Sequence, residues 1–175
     1  MTDFESGYDR RALSTYRKWV GSKPWHLGNE KEDEFGLLIE DIYEDVRPAT
    51  LEEQYKHIDW VCSVGSIDVK AMKSITRHKK KSPDRIWIEF KNTVGCYGWL
   101  YGEQDFIAFE QQDCYIMVRR RDLAELADML CNKEDFVYTA REALYKVYNR
   151  KNTKDLISMI KTSDLLTLQH RKIKK

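Results

Sequence analysis

Between His57 and Lys73 the chain reads HIDWVCSVGSIDVKAMK, and from Arg85 to Lys91 it reads RIWIEFK. Alternation along a strand puts Asp68 and Lys70 on one face and Ile67, Val69 and Ala71 on the other. The short Ser63-Val64-Gly65 segment predicts a tight hairpin, and a turn near Ser63–Val64 sets Asp59 opposite Asp68. Facing carboxylates repel and cost stability. A divalent cation such as Mg²⁺ offsets that cost, because it is held by one or two carboxylates together with water and phosphate. Phosphodiester hydrolysis needs such an ion to polarise the phosphoryl oxygen and to generate hydroxide near neutral pH. A lysine beside the carboxylates then stabilises charge in the transition state. In RIWIEFK, Trp87, Glu89 and Lys91 point one way and Ile86, Ile88 and Phe90 the other. If this run pairs antiparallel with 66–72, Glu89 falls near Asp68, and Asp59, Asp68, Lys70, Glu89 and Lys91 form one polar cluster. The competing reading is a half-exposed sheet whose charged residues face water.

An acidic residue on one strand, followed by Asp68-Val69-Lys70 on the next and preceded by an acidic helix, resembles the PD-(D/E)XK nuclease superfamily. That superfamily includes restriction endonucleases, Holliday-junction resolvases and small phage nucleases. The likeness covers about residues 30–130. It implies a restriction-endonuclease-like fold and a metal-dependent nuclease acting on DNA with Mg²⁺ or Mn²⁺. Asp59 and Asp68 would be metal ligands, and Lys70 would orient water or stabilise charge, with Glu89 nearby. A helix carboxylate often completes the shell, and Glu34, early in its helix, is placed ahead of Glu40. One departure is Ile58, which stands where the family often has proline. A second frame takes Asp68 as the first acid and Glu89-Phe90-Lys91 as the E-x-K. The first frame is preferred for its tighter hairpin. A double-strand cutter with one site per chain implies a homodimer.

The elements that must position these residues follow from periodicity. Residues 1–29 read as an N-terminal extension with a helix across Arg10–Val20. Phe35, Leu38, Ile39, Ile42 and Val46 have helical spacing, which predicts a helix from Glu30 to about Asp45, ended by Pro48. Strands are predicted at 57–62, 66–72, 85–91 and Cys114–Arg119, with a short helix or turn near 103–110. A helix follows over Arg121–Cys131, with further helices near 136–148 and 153–161 and a basic tail, HRKIKK. The fold class is α/β of the α+β type: a central mixed sheet of four or more strands, with an antiparallel hairpin core, flanked by helices. Residues 30–131 form a nuclease-like core domain and 132–175 a helical C-terminal extension.

The 175 residues carry 30 Lys+Arg and 29 Asp+Glu, a net charge of +1 that excludes a strongly basic, histone-like binder. The charges are segregated, however. Residues 30–59 hold 11 acidic and 3 basic residues, 68–91 hold 3 acidic and 8 basic, and 146–175 hold 2 acidic and 9 basic. Lys73, Arg77, Lys79, Lys80, Lys81 and Lys91 are the candidate phosphate contacts, and the Arg119–Arg121 triplet adds to them. Tyr97, Trp99 and Tyr101, in a glycine-punctuated loop, either fold onto the core or stack on a splayed base.

Other chemistries find less support. Cys62, Cys96, Cys114 and Cys131 are widely spaced and lack the close pairs of a zinc site, which suits a reduced, intracellular (cytoplasmic) protein. His57 reads as a surface histidine at a strand end, facing away from Asp59. No nucleophile elbow, Walker A or dinucleotide glycine pattern occurs, so no nucleotide cofactor is expected. No apolar run approaches the roughly 18–20 residues of a membrane span, and the amino terminus lacks a signal-peptide core. The rival functions are a non-catalytic nucleic-acid-binding module on the same fold and a phage-type protein-interaction or inhibitor protein.

Overall fold

The strand β3 (Gly65–Lys70) has both faces covered, and the two coverings define the architecture. The computed structural model describes residues 23–75, 81–148 and 150–175. The helix expected over Arg10–Val20 lies outside them. Ile67 and Val69 point to a layer formed by α1 (Lys23–Glu40), which lays Phe35 and Ile39 across them and across Tyr115, Met117 and Ile173. The opposite face of the sheet, carrying Asp68 and Lys70, lies with Ile107 and Phe109 toward a second sheet.

The first sheet has six strands in the order β1-β2-β3-β5-β6-β10. Here β1 is Arg47–Pro48, β2 Trp60–Cys62, β5 Phe106–Glu110, β6 Cys114–Arg119 and β10 His170–Lys174. The second has four in the order β4-β9-β8-β7, with β4 Arg85–Lys91, β7 Asn132–Val137, β8 Lys146–Tyr148 and β9 Leu156–Lys161. Among the described residues there are three further α-helices: α2 (Leu51–Tyr55), α3 (Arg120–Leu130) and α4 (Thr162–Leu165). Leu123, Ala124 and Ala127 of α3 join Ile86, Ile88 and Phe90 of β4 in the core between the sheets. A mixed α/β fold with a hairpin at its centre is therefore present.

Several expected elements differ. Pro24 is tolerated because it lies in the first turn of α1, where its missing N–H has no intrahelical partner to lose. The helix stops at Glu40, short of Asp45, and Pro48 does not end it. Asp45 takes a left-handed turn, and Arg47 and Pro48 then pair with Val61 and Trp60 as an edge strand. The helix or turn near 103–110 is strand β5, and the helices near 136–148 and 153–161 are strands with a short 3-10 turn at Ala140–Glu142. Residues 156–160 (LISMI) are apolar except for Ser158, and such a short buried segment suits a strand as well as a helix. The basic tail is edge strand β10, antiparallel to β6, with Ile173 inward and Lys and Arg along its rim, a charge pattern that blunts further strand pairing.

A buried carboxylate fastens this tail. Glu110 accepts from Lys175 Nζ at 2.9 Å and from the Met72 N–H at 2.8 Å, with Lys31 at 3.1 Å and Lys81 at 3.4 Å. Burial alone would raise its pKa, but these donors hold it down to about 2.

Gly36 sits on the buried side of α1, and a Cβ there would overlap the Trp60 indole, whose Nε1 donates to Glu32 O at 2.9 Å. In a free helix Gly→Ala gains about 1 kcal/mol. Overpacking costs about 1–3 kcal/mol. Gly36→Ala is therefore expected to lower stability by about 1–2 kcal/mol in urea unfolding, against its helix propensity.

Candidate active site

The β2–β3 hairpin fixes the two central carboxylates. Cys62 pairs with Gly65 and Trp60 with Ile67, so the loop is Ser63-Val64 and the register carries Asp59 opposite Asp68. Gly65 is at φ 136°, a conformation open to glycine and strained for other residues. The Asp59 backbone is held on both sides: its N–H donates to Ile67 O at 2.9 Å, and its carbonyl accepts from Ala49 N at 2.8 Å. Ala49 is itself positioned by the Thr50–Glu53 capping box of α2 and by Arg47, which grips both oxygens of Glu53 at 2.7 and 2.8 Å. Asp59 Oδ2 accepts from the Val69 N–H at 2.7 Å.

Asp68 is 1% exposed. Its Oδ1 meets Lys70 Nζ at 2.5 Å, and its Oδ2 faces Gln104 Nε2 at 3.4 Å. Burial pushes the Asp68 carboxyl well above the usual range. Lys70 opposes that shift, and Asp59, within hydrogen-bonding reach, adds to it. Burial pulls the Lys70 ammonium down, but Asp68, Asp59 and Glu89 more than offset this and leave it raised. Lys70 also sits 5.3 Å from the centroid of the Trp99 ring, in the 3-10 turn Trp99–Tyr101.

Glu89 reaches this group by a different route from the one expected. Its strand β4 pairs with β9, not with β3, whose second neighbour is β5 in parallel. A bulge between Glu89 and Lys91 interrupts the β4–β9 register, as bulges do where a side chain must be re-aimed. Burial raises the Glu89 pKa against the pull of Lys70, Lys73 and the Trp99 N–H. Lys91 is exposed. The second frame thus has its three residues on two different sheets.

The helix carboxylate facing the hairpin is Glu32. Burial and the Asp59 charge raise its pKa to about 7, with Lys70 opposing. Glu34 instead contacts Lys31 and lies 3.7 Å from Lys175, beside the Glu110 cluster. Two residues along a helix turn the side chain by about 200°, so Glu32 and Glu34 face apart. Glu40 is exposed at the helix end.

Three contributors escaped sequence reasoning. Glu32 had a signal, since it lies three and seven residues before the buried Phe35 and Ile39 and so on the inward stripe of α1. Gln104 had none, because its place beside Asp68 depends on the parallel β3–β5 pairing. Its Nε2 also donates to Trp99 O at 2.7 Å, while its Oε1 is buried without a hydrogen-bond partner. His57 precedes the strand at φ 63°. Burial and the nearby Lys70 charge bring its pKa down to about 4, so it is neutral at neutral pH.

Among the candidate phosphate contacts, Arg77, Lys79 and Lys80 lie outside the described residues. Lys73 and Lys91 are exposed, and Lys81 is paired with Glu110. On either side of 76–80, Ser74 bridges Lys81 and Ser82 N donates to Lys73 O at 3.2 Å. Arg120 is committed to the fold, donating to the carbonyls of Gln104 and Leu100.

Among the described residues no three or more His, Cys, Asp or Glu converge into a ready-made metal cage. What is present is a pair of carboxylates, Asp59 and Asp68, opposed across the hairpin, with Glu32 close enough to Asp59 for its titration to feel that charge. Carboxylate oxygens are the donors that a hard divalent cation takes together with water and phosphate. No family model, curated protein or solved structure matches the chain. No helix among the described residues is long and apolar enough to cross a membrane.

With its pKa raised from 4.5 to about 7, Glu32 keeps a proton in the folded state that the unfolded chain releases. Folding stability therefore falls as pH rises through that window. Glu32→Gln is expected to match the unaltered protein near pH 4 and to exceed its stability by about 1–2 kcal/mol near pH 8, after allowance for solvent screening. Thermal unfolding across pH measures this.

Proposed function

We propose that this chain is a divalent-metal-dependent nuclease of the PD-(D/E)XK type that hydrolyses DNA phosphodiester bonds. The observation that carries the reading is the direct opposition of Asp59 and Asp68 across a hairpin, with Lys70 bonded to Asp68 on a covered sheet face. Folding gains nothing from that opposition, since burial and mutual repulsion both disfavour it. A site that must hold a cation against a phosphate needs it.

Asp59 and Asp68 would hold Mg²⁺ or Mn²⁺, with Glu32 replacing Glu34 as the helix carboxylate. The bound ion would polarise the phosphoryl oxygen and make water acidic enough to attack. Lys70, anchored by Asp68 and packed on Trp99, presents a fixed positive charge to the developing negative charge of the phosphoryl group. Gln104 orients Asp68 from behind. Asp68 and Asp59 chiefly, joined by Glu89, keep Lys70 protonated. Exposed Lys73 and Lys91, with the basic residues Arg77, Lys79 and Lys80, supply sequence-independent attraction to the DNA backbone.

Incubation of plasmid and linear DNA with the protein and Mg²⁺ or Mn²⁺ tests this reading. Cleavage is expected, abolished in Asp68→Asn and reduced about 10²–10³-fold in Lys70→Met. Glu32→Gln should impair cleavage while Glu34→Gln leaves it intact. Salt-sensitive DNA binding without metal-dependent cleavage would select a non-catalytic binding module instead.

A further inference from the structure

A cavity of about 190 Å³ is lined by residues that include His57, Tyr97, Gly98, Tyr101, Gly102 and Glu103, some of which pack directly on residues of the carboxylate cluster. Its walls are the two segments that lead to the site. His57 stands two residues before Asp59, and Gly98 is backed against Glu89, where any Cβ would clash with the Glu89 main chain. Gly102 closes against the His57 Cβ on one side and Gln104 Oε1 on the other, so the pocket shares its rear wall with the Asp68 support.

The aromatic pair in this wall is unevenly anchored. Tyr101 is fixed, donating to Asp128 Oδ1 at 2.6 Å and accepting from Lys133 Nζ at 3.1 Å. Tyr97 stands edge-on to it, with ring centroids 5.7 Å apart and planes at 78°, and is 75% exposed. A rigid ring thus props a second one whose face is bare, at the mouth of a cavity sized for one planar group. Base pairs inside a duplex have both faces stacked and cannot enter such a space, whereas an unpaired base can, and ring-on-base stacking is largely indifferent to sequence.

We infer that the Tyr97–Tyr101 pocket receives one unpaired nucleobase next to the reacting phosphate, which makes single-stranded DNA, or a single-stranded segment of branched DNA, the substrate. This inference rests on the nuclease reading for its geometry, but its test does not need turnover.

Binding of a fluorescently labelled thymidine oligomer, and of a duplex of the same length, is measured by anisotropy in EDTA. Tyr97→Ala is expected to weaken single-strand binding about 5- to 150-fold and to leave duplex binding unchanged. Tyr97→Trp should restore single-strand binding. Tyr138→Ala, which removes a tyrosine 77% exposed elsewhere on the surface, should have no effect. Unchanged single-strand binding in Tyr97→Ala, equal losses for both substrates, or no single-strand binding by the unaltered protein would each overturn the pocket assignment. If cleavage with Mg²⁺ persists alongside any of those results, the nuclease reading stands and the pocket alone fails. Tyr97-dependent binding without cleavage by the unaltered protein supports the pocket and overturns the nuclease reading.

Discussion

Two carboxylates held opposite one another, with a single lysine between them and the core, set the terms for this fold. Asp59 and Asp68 meet because a two-residue turn leaves the hairpin no other register. Slipping the strands by one residue would turn Ile67 and Val69 out of the α1 layer and carry Asp68 into it. The same alternation that builds the hydrophobic contact with Phe35 and Ile39 therefore delivers Asp68 and Lys70 to the other face. Apolar burial enforces the electrostatic penalty.

The second sheet raises that penalty further. By packing Ile86, Ile88 and Phe90 over Ile107 and Phe109, it brings Trp99 and Gln104 onto the Asp68 side and leaves that carboxyl almost wholly covered. Lys70 answers part of the charge, and Gln104 answers part of the hydrogen bonding. Glu32 and Glu89 add further carboxyl groups from two more elements, α1 and β4. Elsewhere the protein treats a buried carboxylate differently: Glu110 has three lysines and a backbone N–H around it and titrates at about 2. One buried acid is over-supplied with donors and serves the fold. The other is under-supplied and lies beside further acids, the pattern expected where function rather than stability chose the residues.

The hairpin, its turn and the opposition of Asp59 to Asp68 were legible because they depend on alternation within a dozen residues. Strands 85–91 and Cys114–Arg119, and the helix through Leu123 and Ala127, were legible for the same reason. Partnership was not. Nothing local to RIWIEFK says that it pairs with residues 156–161 rather than with the strand before it, and Gln104 reaches Asp68 only through the equally long-range parallel pairing of β3 with β5. Mostly apolar segments without regular alternation, such as FIAFE and LISMI, carry no clear period to separate strand from helix. The helix carboxylate was within reach. The stripe through Phe35 and Ile39 puts Glu32 inward, a phase argument more direct than position along the helix.

Calorimetric titration of the protein with Mn²⁺, in the absence of DNA, tests most directly whether the opposed carboxylates form a cation site. Uptake of one ion per chain, lost in Asp59→Asn and Asp68→Asn and kept in Glu34→Gln, is the expected result. No uptake, or uptake indifferent to both aspartates, would contradict it.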